Sequence, residues 1–282
     1  MPIISELTIY PIKSCAGIAL STAVVTEAGL TYGGVHDREW MLVGTDGLFL
    51  SQRELPGMAR LRVSVKADAL CVDTDGKTTL YIPLQRDARA MQTQVKVWDV
   101  ELSADDAGDE AANWFSSALN TACRLVRFST EAKRFANTKW TGDTLAPTRF
   151  ADGYPMLLIA QASLDDLNRR AIAQGRHAVP MNRFRPNIVL AGIDAFEEDY
   201  AESYLLQNGI QLRPAKPCPR CPIPAVDQVT GEVGDNPVDI LQSYRANPIV
   251  DGEITFGMNV ILIQGAGKQV QIGDEVDMPI AF

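Results

Sequence analysis

Histidine is the scarcest chemistry in this 282-residue chain: His36 and His177 are all there is. A histidine-rich metal site or a Ser-His-Asp triad therefore has little to be built from, and neither H-E-x-x-H nor G-x-S-x-G occurs. Basic residues are also in deficit. Lys and Arg number 26 against 35 Asp and Glu, a formal charge of -9, whereas general nucleic-acid binding needs clustered cationic excess. No nucleic-acid polymer is expected as a partner, and any anionic ligand must meet a local basic pocket. No stretch approaches the roughly 20 apolar residues of a bilayer span. The opening "MPIISELTIYPIKSC" also lacks a basic segment leading into a long apolar one. No membrane span and a cytoplasmic location are the expectations. Cysteine is sparse: Cys15, Cys71, Cys123, Cys218 and Cys221 form an odd, scattered set in a chain long enough to build a core without disulfides, which fits a reducing compartment. "GAGKQVQIG" lacks the third glycine of a dinucleotide fingerprint and the Walker lysine spacing, and between strand-like runs it reads as a hairpin turn.

What is present is ordinary globular material, 46% hydrophobic and 22% charged, enough for one large or two modest domains. The first hundred residues predict an antiparallel β domain closed as a barrel: "ISELTIYPI", "EWMLV", "RLRVSVKA", "LCVDT", "TTLYIPL" and "TQVKVW" are short strand-like runs divided by Gly, Asp and Pro turns. "SADDAGDEAANWFSSALN" predicts a helix capped by Ser103, with Ala111, Phe115, Ala118 and Ala122 at helical spacing. Residues 129–153 are long, polar and nearly aperiodic, which predicts a lid or a pocket wall. Beyond them "YPMLLIA" reads as a buried strand, "SLDDLNRRAIAQG" as a helix capped by Ser163 with Asp166 in a capping box, and "NIVLAG", "YLLQNGIQLRPA", "VILIQ" and "KQVQIGDEV" as strands.

The stretch with most chemistry is "AKPCPRCPIPAVDQVTG", residues 215–231. A structural zinc site wants four Cys or His ligands, and no second pair lies near. A redox C-x-x-C opens a helix, whereas Pro217, Pro219, Pro222 and Pro224 keep this segment extended. Two readings stay open: buried thiols used as small core residues, or a thiolate favoured by Arg220 beside Cys221 and offered to a soft or high-valent metal.

Taken together, "YPIKSCAG", "DREWMLV" with "SQRELPGMARL", "FADGYPMLLI", "NRFRPNIVL", "CPRCPIPAVDQVTG" and the closing "FGMN … GDEV" resemble the MOSC-domain proteins that carry an N-terminal MOSC β-barrel domain, the group of the bacterial YcbX-like proteins and the mitochondrial amidoxime-reducing components. The resemblance runs in order over almost the whole chain. It implies an α+β, β-rich fold: an N-terminal β-barrel-like domain over residues 1–125 and a C-terminal MOSC β-barrel domain with peripheral helices over 126–282. It also implies a molybdenum cofactor (molybdenum on the dithiolene of a phosphorylated pterin), with the thiolate of Cys221 as metal ligand and catalytic residue. Cys218 is not made a ligand by the resemblance. Lys13, Ser14, Arg38 and Arg185 are the expected phosphate donors. Arg53, Asp152, Asn187 and Asn259 are expected to contact the pterin or shape the pocket. The implied reaction is reduction of N-hydroxylated compounds such as amidoximes, hydroxamic acids or hydroxylaminopurines by oxo transfer at the metal. One departure matters: some YcbX-like proteins add an iron–sulfur domain, and no cysteine follows Cys221 here, where a cluster needs four. A separate electron-transfer protein, ferredoxin-like or a reductase with a haem or iron–sulfur carrier, is the implied partner. Pyridoxal phosphate is not expected. The alternative is a cofactor carrier or sulfur-transfer module without turnover of its own.

Overall fold

The computed structural model describes residues 1–281. Its strands are short and its helices few, so the fold is the β-rich α+β arrangement expected. A nine-stranded sheet runs through Ile18–Leu20, Ile3–Ile9, Ile188–Ala191, Met156–Ala160, Glu253–Gln264, Gln211–Pro219, Tyr204–Leu206 and Val276–Asp277, with Ala246–Asn247 added beside Glu253–Gln264. Among the described strands only Met156–Ala160 and Ile188–Ala191 pair in parallel, and the helix Gln161–Ala173 lies in the connection between them, as parallel neighbours need a crossover. Three smaller sheets make up most of the first half.

The two halves of the chain are sewn together by strand exchange. Ile3–Ile9 pairs with Ile188–Ala191, and Gln269–Gln271 pairs with Thr22–Thr26. The largest apolar cluster accordingly mixes residues from both ends of the sequence, including Ile4, Leu7, Trp40, Leu158, Ile188, Val260 and Val276. Among the described residues no helix is long and apolar enough to cross a membrane.

Several local expectations need correction. Ser103 caps no helix. It lies on the strand Val100–Asp106, where alternate residues Leu102 and Ala104 are buried, and its hydroxyl donates to Gln92. The helix starts later, at Asp109, with Gly108 at the cap position; a period of two continued into the acidic stretch and outweighed the capping signal. Ser163 does not cap either, because the helix springs from the preceding strand at Gln161. Its hydroxyl instead donates to the Glu198 carboxylate and accepts from the Phe196 N–H, while Asp166 pairs with Arg169 and Arg170 on its own helix. "GAGKQVQIG" is a turn but not a hairpin, since the strand it leads into pairs with Thr22–Thr26 and not with the strand it leaves. The proline-rich segment is extended only as far as Pro219: Gln211–Pro219 is a strand, its register against Glu253–Gln264 broken near Pro214 and Pro217, where prolines cannot donate to the ladder. Pro222 and Pro224 instead start a 3-10 turn over Ile223–Ala225, since the fixed φ of proline suits a first helical turn as well as a strand.

Candidate functional site

A cavity of about 130 Å³ opens where the halves meet, and it is lined by Lys13, Ser14, Arg38, Arg53, Asp152, Arg185, Asn187, Asn259 and Cys221. These are all nine residues singled out from the sequence. They come from seven separate segments, so only folding makes them neighbours.

Lys13 and Ser14 follow the first long strand, in a turn held by the bond from the Lys13 N–H to the Trp40 carbonyl, 2.8 Å. Lys13 is buried, and its ammonium donates to the Phe150 carbonyl (2.9 Å) and to Asp152 (2.6 Å). Arg38 donates to Asp37 at 2.5 Å and to the Asn187 carbonyl oxygen at 3.1 Å. Among the described residues Arg185 has no carboxylate partner; it donates to the Cys15 carbonyl (2.7 Å) and to Gln228 (3.1 Å). Arg53 rests over the Trp98 ring, 4.8 Å from its centroid. Asn187 is a fastener: its amide donates to the Thr8 carbonyl and to Asp37, and its oxygen accepts from Leu157 N–H as well as from Arg38. Asn259 donates to the Lys216 carbonyl across the strand pair. The segment expected as lid or wall is a wall, because the buried Arg134 guanidinium bonds the carbonyls of Arg149, Ala151 and Asp152.

Three site residues hold backbone conformations that non-glycine residues avoid: Ser14 at φ 65°, Arg38 at 47° and Arg185 at 59°. Each costs on the order of 1–3 kcal/mol, and such strain collects at functional sites because the surrounding structure must enforce it. The charge balance is as unusual. Lys13, Arg38, Arg53, Arg185 and Arg220 line the cavity against a single carboxylate, Asp152, in a chain of formal charge -9. Burial lowers the pKa of Lys13, opposed by Asp152, and burial also lowers that of Arg185. Desolvation by the cleft walls acts to raise the Asp152 carboxyl, yet that side chain is 63% exposed. The attraction of Lys13 wins, and the carboxyl is held well below the usual carboxylate range.

The two thiols differ. Cys221 is partly exposed and faces the cavity. Cys218 also reaches it, but packs on the apolar cluster around Phe184 and Phe256, and burial raises its pKa, with Arg220 opposing. The cation anticipated beside Cys221 is elsewhere: Arg220 donates to the Cys218 sulfur at 3.2 Å and to the Phe184 carbonyl at 2.9 Å. Side chains alternate along an extended segment, which turns Arg220 away from its neighbour in sequence.

The sequence reading missed a supporting set. Gln52 and Gln228 clasp each other through both amides (2.8 and 3.1 Å), and Gln52 also donates to the Ser14 carbonyl. Both sit inside quoted motifs, "SQRE" and "VDQVTG", which was the available signal. Cationic donors, a soft thiol, and a buried Arg220 Nε with no partner among the described residues have the chemistry that fits an anionic, phosphate-bearing group that offers a metal to sulfur.

Comparison with known proteins agrees with this architecture. Residues 1–122 match the MOSC N-terminal beta barrel domain and residues 146–277 the MOSC domain. The chain belongs to the family of MOSC-domain proteins with an N-terminal MOSC β-barrel domain, that of the mitochondrial amidoxime-reducing components. It is 35% identical to mitochondrial amidoxime reducing component 2 of Bos taurus over 86% of this chain and 72% of that one. It is 32% identical to mitochondrial amidoxime-reducing component 1 of Mus musculus over 97% and 81%. Molybdenum cofactor sulfurase of Oryza sativa subsp. japonica is 28% identical over 97% of this chain but only 35% of its own length.

Proposed function

We propose that this chain binds a molybdenum cofactor in the inter-half cavity and reduces N-hydroxylated compounds, amidoximes among them, with electrons from a separate carrier protein. The observation that supports this most is the union, in one cleft, of five cations facing one carboxylate and the thiol of Cys221. When bound, the molybdenum supplies two-electron oxygen-atom transfer, the chemistry that belongs to the cofactor and not to the protein.

The residues' own tasks follow from their surroundings. Cys221 would ligate the metal as thiolate, giving up its proton on binding. Lys13, Ser14, Arg38 and Arg185 would hold the phosphate, the arginines through planar forks and the lysine as a point charge. Arg53 and Asn259 would flank the pterin, and Asn187 would keep Arg38 aimed. Asp152, held ionised by Lys13, orients that ammonium at the mouth and is no proton donor at neutral pH. The net reduction consumes two electrons and two protons and releases water. Within these residues the five cysteines are scattered and no nucleotide fingerprint occurs, so a nicotinamide alone should not drive turnover.

The similarity of nearly the whole chain to a stretch of molybdenum cofactor sulfurase favours one second reading, a cofactor carrier or sulfur-transfer module. One experiment separates the two. Protein made in a cofactor-competent host is assayed for molybdenum and pterin, then reduced with an artificial one-electron donor and offered benzamidoxime. Loading with benzamidine formation is expected. Loading without turnover selects the carrier, and absence of both molybdenum and pterin defeats either reading.

A further inference from the structure

All five cations that line the cavity lie over aromatic rings. Lys13 is 5.0 Å from the Phe49 centroid, Arg53 4.8 Å from that of Trp98 and Arg220 5.2 Å from that of Phe184. Arg38 and Arg185 share one ring: they lie 4.3 and 4.2 Å from the centroid of Tyr10. Tyr10 thus meets one guanidinium from each half of the chain.

Two like charges this close repel, and the more so where water is excluded. Asp37 compensates Arg38; a second carboxylate, for Arg185, would relieve the repulsion further but would also cancel the field that attracts an anion. An aromatic face attracts a cation through its quadrupole and adds no net charge. Tyr10 is placed to do this. It is 3% exposed, its N–H donates to Asp37 at 2.8 Å, and its hydroxyl donates to the Pro186 carbonyl at 3.1 Å. Gly17 packs so closely that a Cβ there would come within 2.6 Å of the ring. Burial pushes the phenol up to about 12, so the ring carries no charge at neutral pH.

We propose that Tyr10 is a positioning residue whose ring holds Arg38 and Arg185 as the two arms of a clamp for a phosphate-bearing ligand, keeping both aimed while adding no negative charge beyond that of Asp37 behind Arg38. This rests on the anion-binding reading of the cavity given above. Its rival is that Asp37, Asn187, Cys15 and Gln228 place the two arginines unaided, with Tyr10 as core filler.

The test uses the full chain, free of cofactor, as wild type, Tyr10→Phe, Tyr10→Leu and Tyr10→pentafluorophenylalanine. The last keeps the ring's shape but removes the attraction of its face for a cation, so it stays informative should Tyr10→Leu fail to fold. Guanidinium NMR signals are recorded without ligand, and inorganic phosphate is then titrated. Wild type and Tyr10→Phe should show two ring-shifted, slowly rotating arginines and bind phosphate within about twofold of each other. The leucine and fluorinated variants should lose that ordering and bind about tenfold more weakly. Unchanged arginine ordering and phosphate affinity in a folded fluorinated variant would overturn the proposal, as would a loss of affinity in Tyr10→Phe that matches the fluorinated one. Should wild type bind no phosphate while the arginine signals still respond to the ring, the cofactor reading falls and the positioning role of Tyr10 stands.

Discussion

The inter-half cavity and a larger groove on the first half solve the burial of arginine in opposite ways. The groove, about 450 Å³, is lined by Arg86, Arg89, Arg124 and Arg127 together with Asp87, Asp105, Asp106 and Asp109. There the guanidiniums are matched by acids: Arg86 and Arg127 both reach the buried Glu39, Arg86 also reaches Asp105, and Arg124 is shared by Asp106 and Asp109. In the smaller cavity only Lys13 and Arg38 have a carboxylate, Asp152 and Asp37; aromatic faces, side-chain amides and backbone carbonyls do the rest of the holding, and positive charge is left over. Volume therefore does not identify the site; unbalanced charge held under backbone strain does.

The largest expected effect lies with the thiols. Cys221→Ala should abolish reduction of benzamidoxime by the loaded protein and lower its molybdenum content, whereas Cys218→Ala should retain both. Equal loss from the two substitutions would make the pair a shared site and would blur the distinction drawn between them.

Next comes a crossed comparison of one arginine from each cavity. Arg185→Ala should weaken phosphate and pterin binding roughly ten- to a hundredfold, the worth of a lost charge-assisted contact, while the cofactor-free protein melts close to wild type because like-charge repulsion is relieved. Arg127→Ala should do the reverse. It leaves Glu39, 2% exposed, short of one partner, at a cost of about 3 kcal/mol, or roughly 6–12 °C in melting temperature, with binding unchanged. Pterin content and melting curves measured side by side decide it, and two variants that fail in the same way would erase the contrast between the cavities.

A smaller effect concerns a buried acid that has no cation of its own. Desolvation, with Asp199 adding to it, raises Glu198 to about 7; Asp199 itself is taken up by Arg245. The fold favours the protonated form, so this contribution to stability is fully present below the ordinary value of 4.5 and is lost as pH rises through about 7. Between pH 5 and pH 8 the wild type should lose on the order of 1–3 kcal/mol that Glu198→Gln does not. Parallel denaturation curves at the two pH values give the comparison; identical slopes would show that burial without a counter-charge is tolerated here after all.

Much of the candidate site is legible in the sequence, because "YPIKS", "DRE", "FRPN" and "CPRC" keep its residues within a few positions of strained turns and strand ends. Local capping was read less well. Ser103 and Ser163 both carried a valid capping signal; Ser103 lost to a strand whose burial stabilises more than a cap does, and Ser163 to a helix that starts two residues earlier, directly from the buried strand before it. The partner of Arg220 was misassigned because adjacency in sequence is separation in space along an extended segment.

By itself the sequence determined the β-rich class, the scarcity of histidine chemistry, and the inventory of cations and thiols, since these depend on composition and on periods of a few residues. Only the tertiary structure decided which of them meet. Tyr10 finds Pro186 across 176 positions, Gln52 finds Gln228 across 176, and Arg38 finds Asn187 across 149. Such contacts leave no periodic trace in the chain, because closing loops of this length is repaid not by any local preference but by the common core that the exchanged strands build between the two halves.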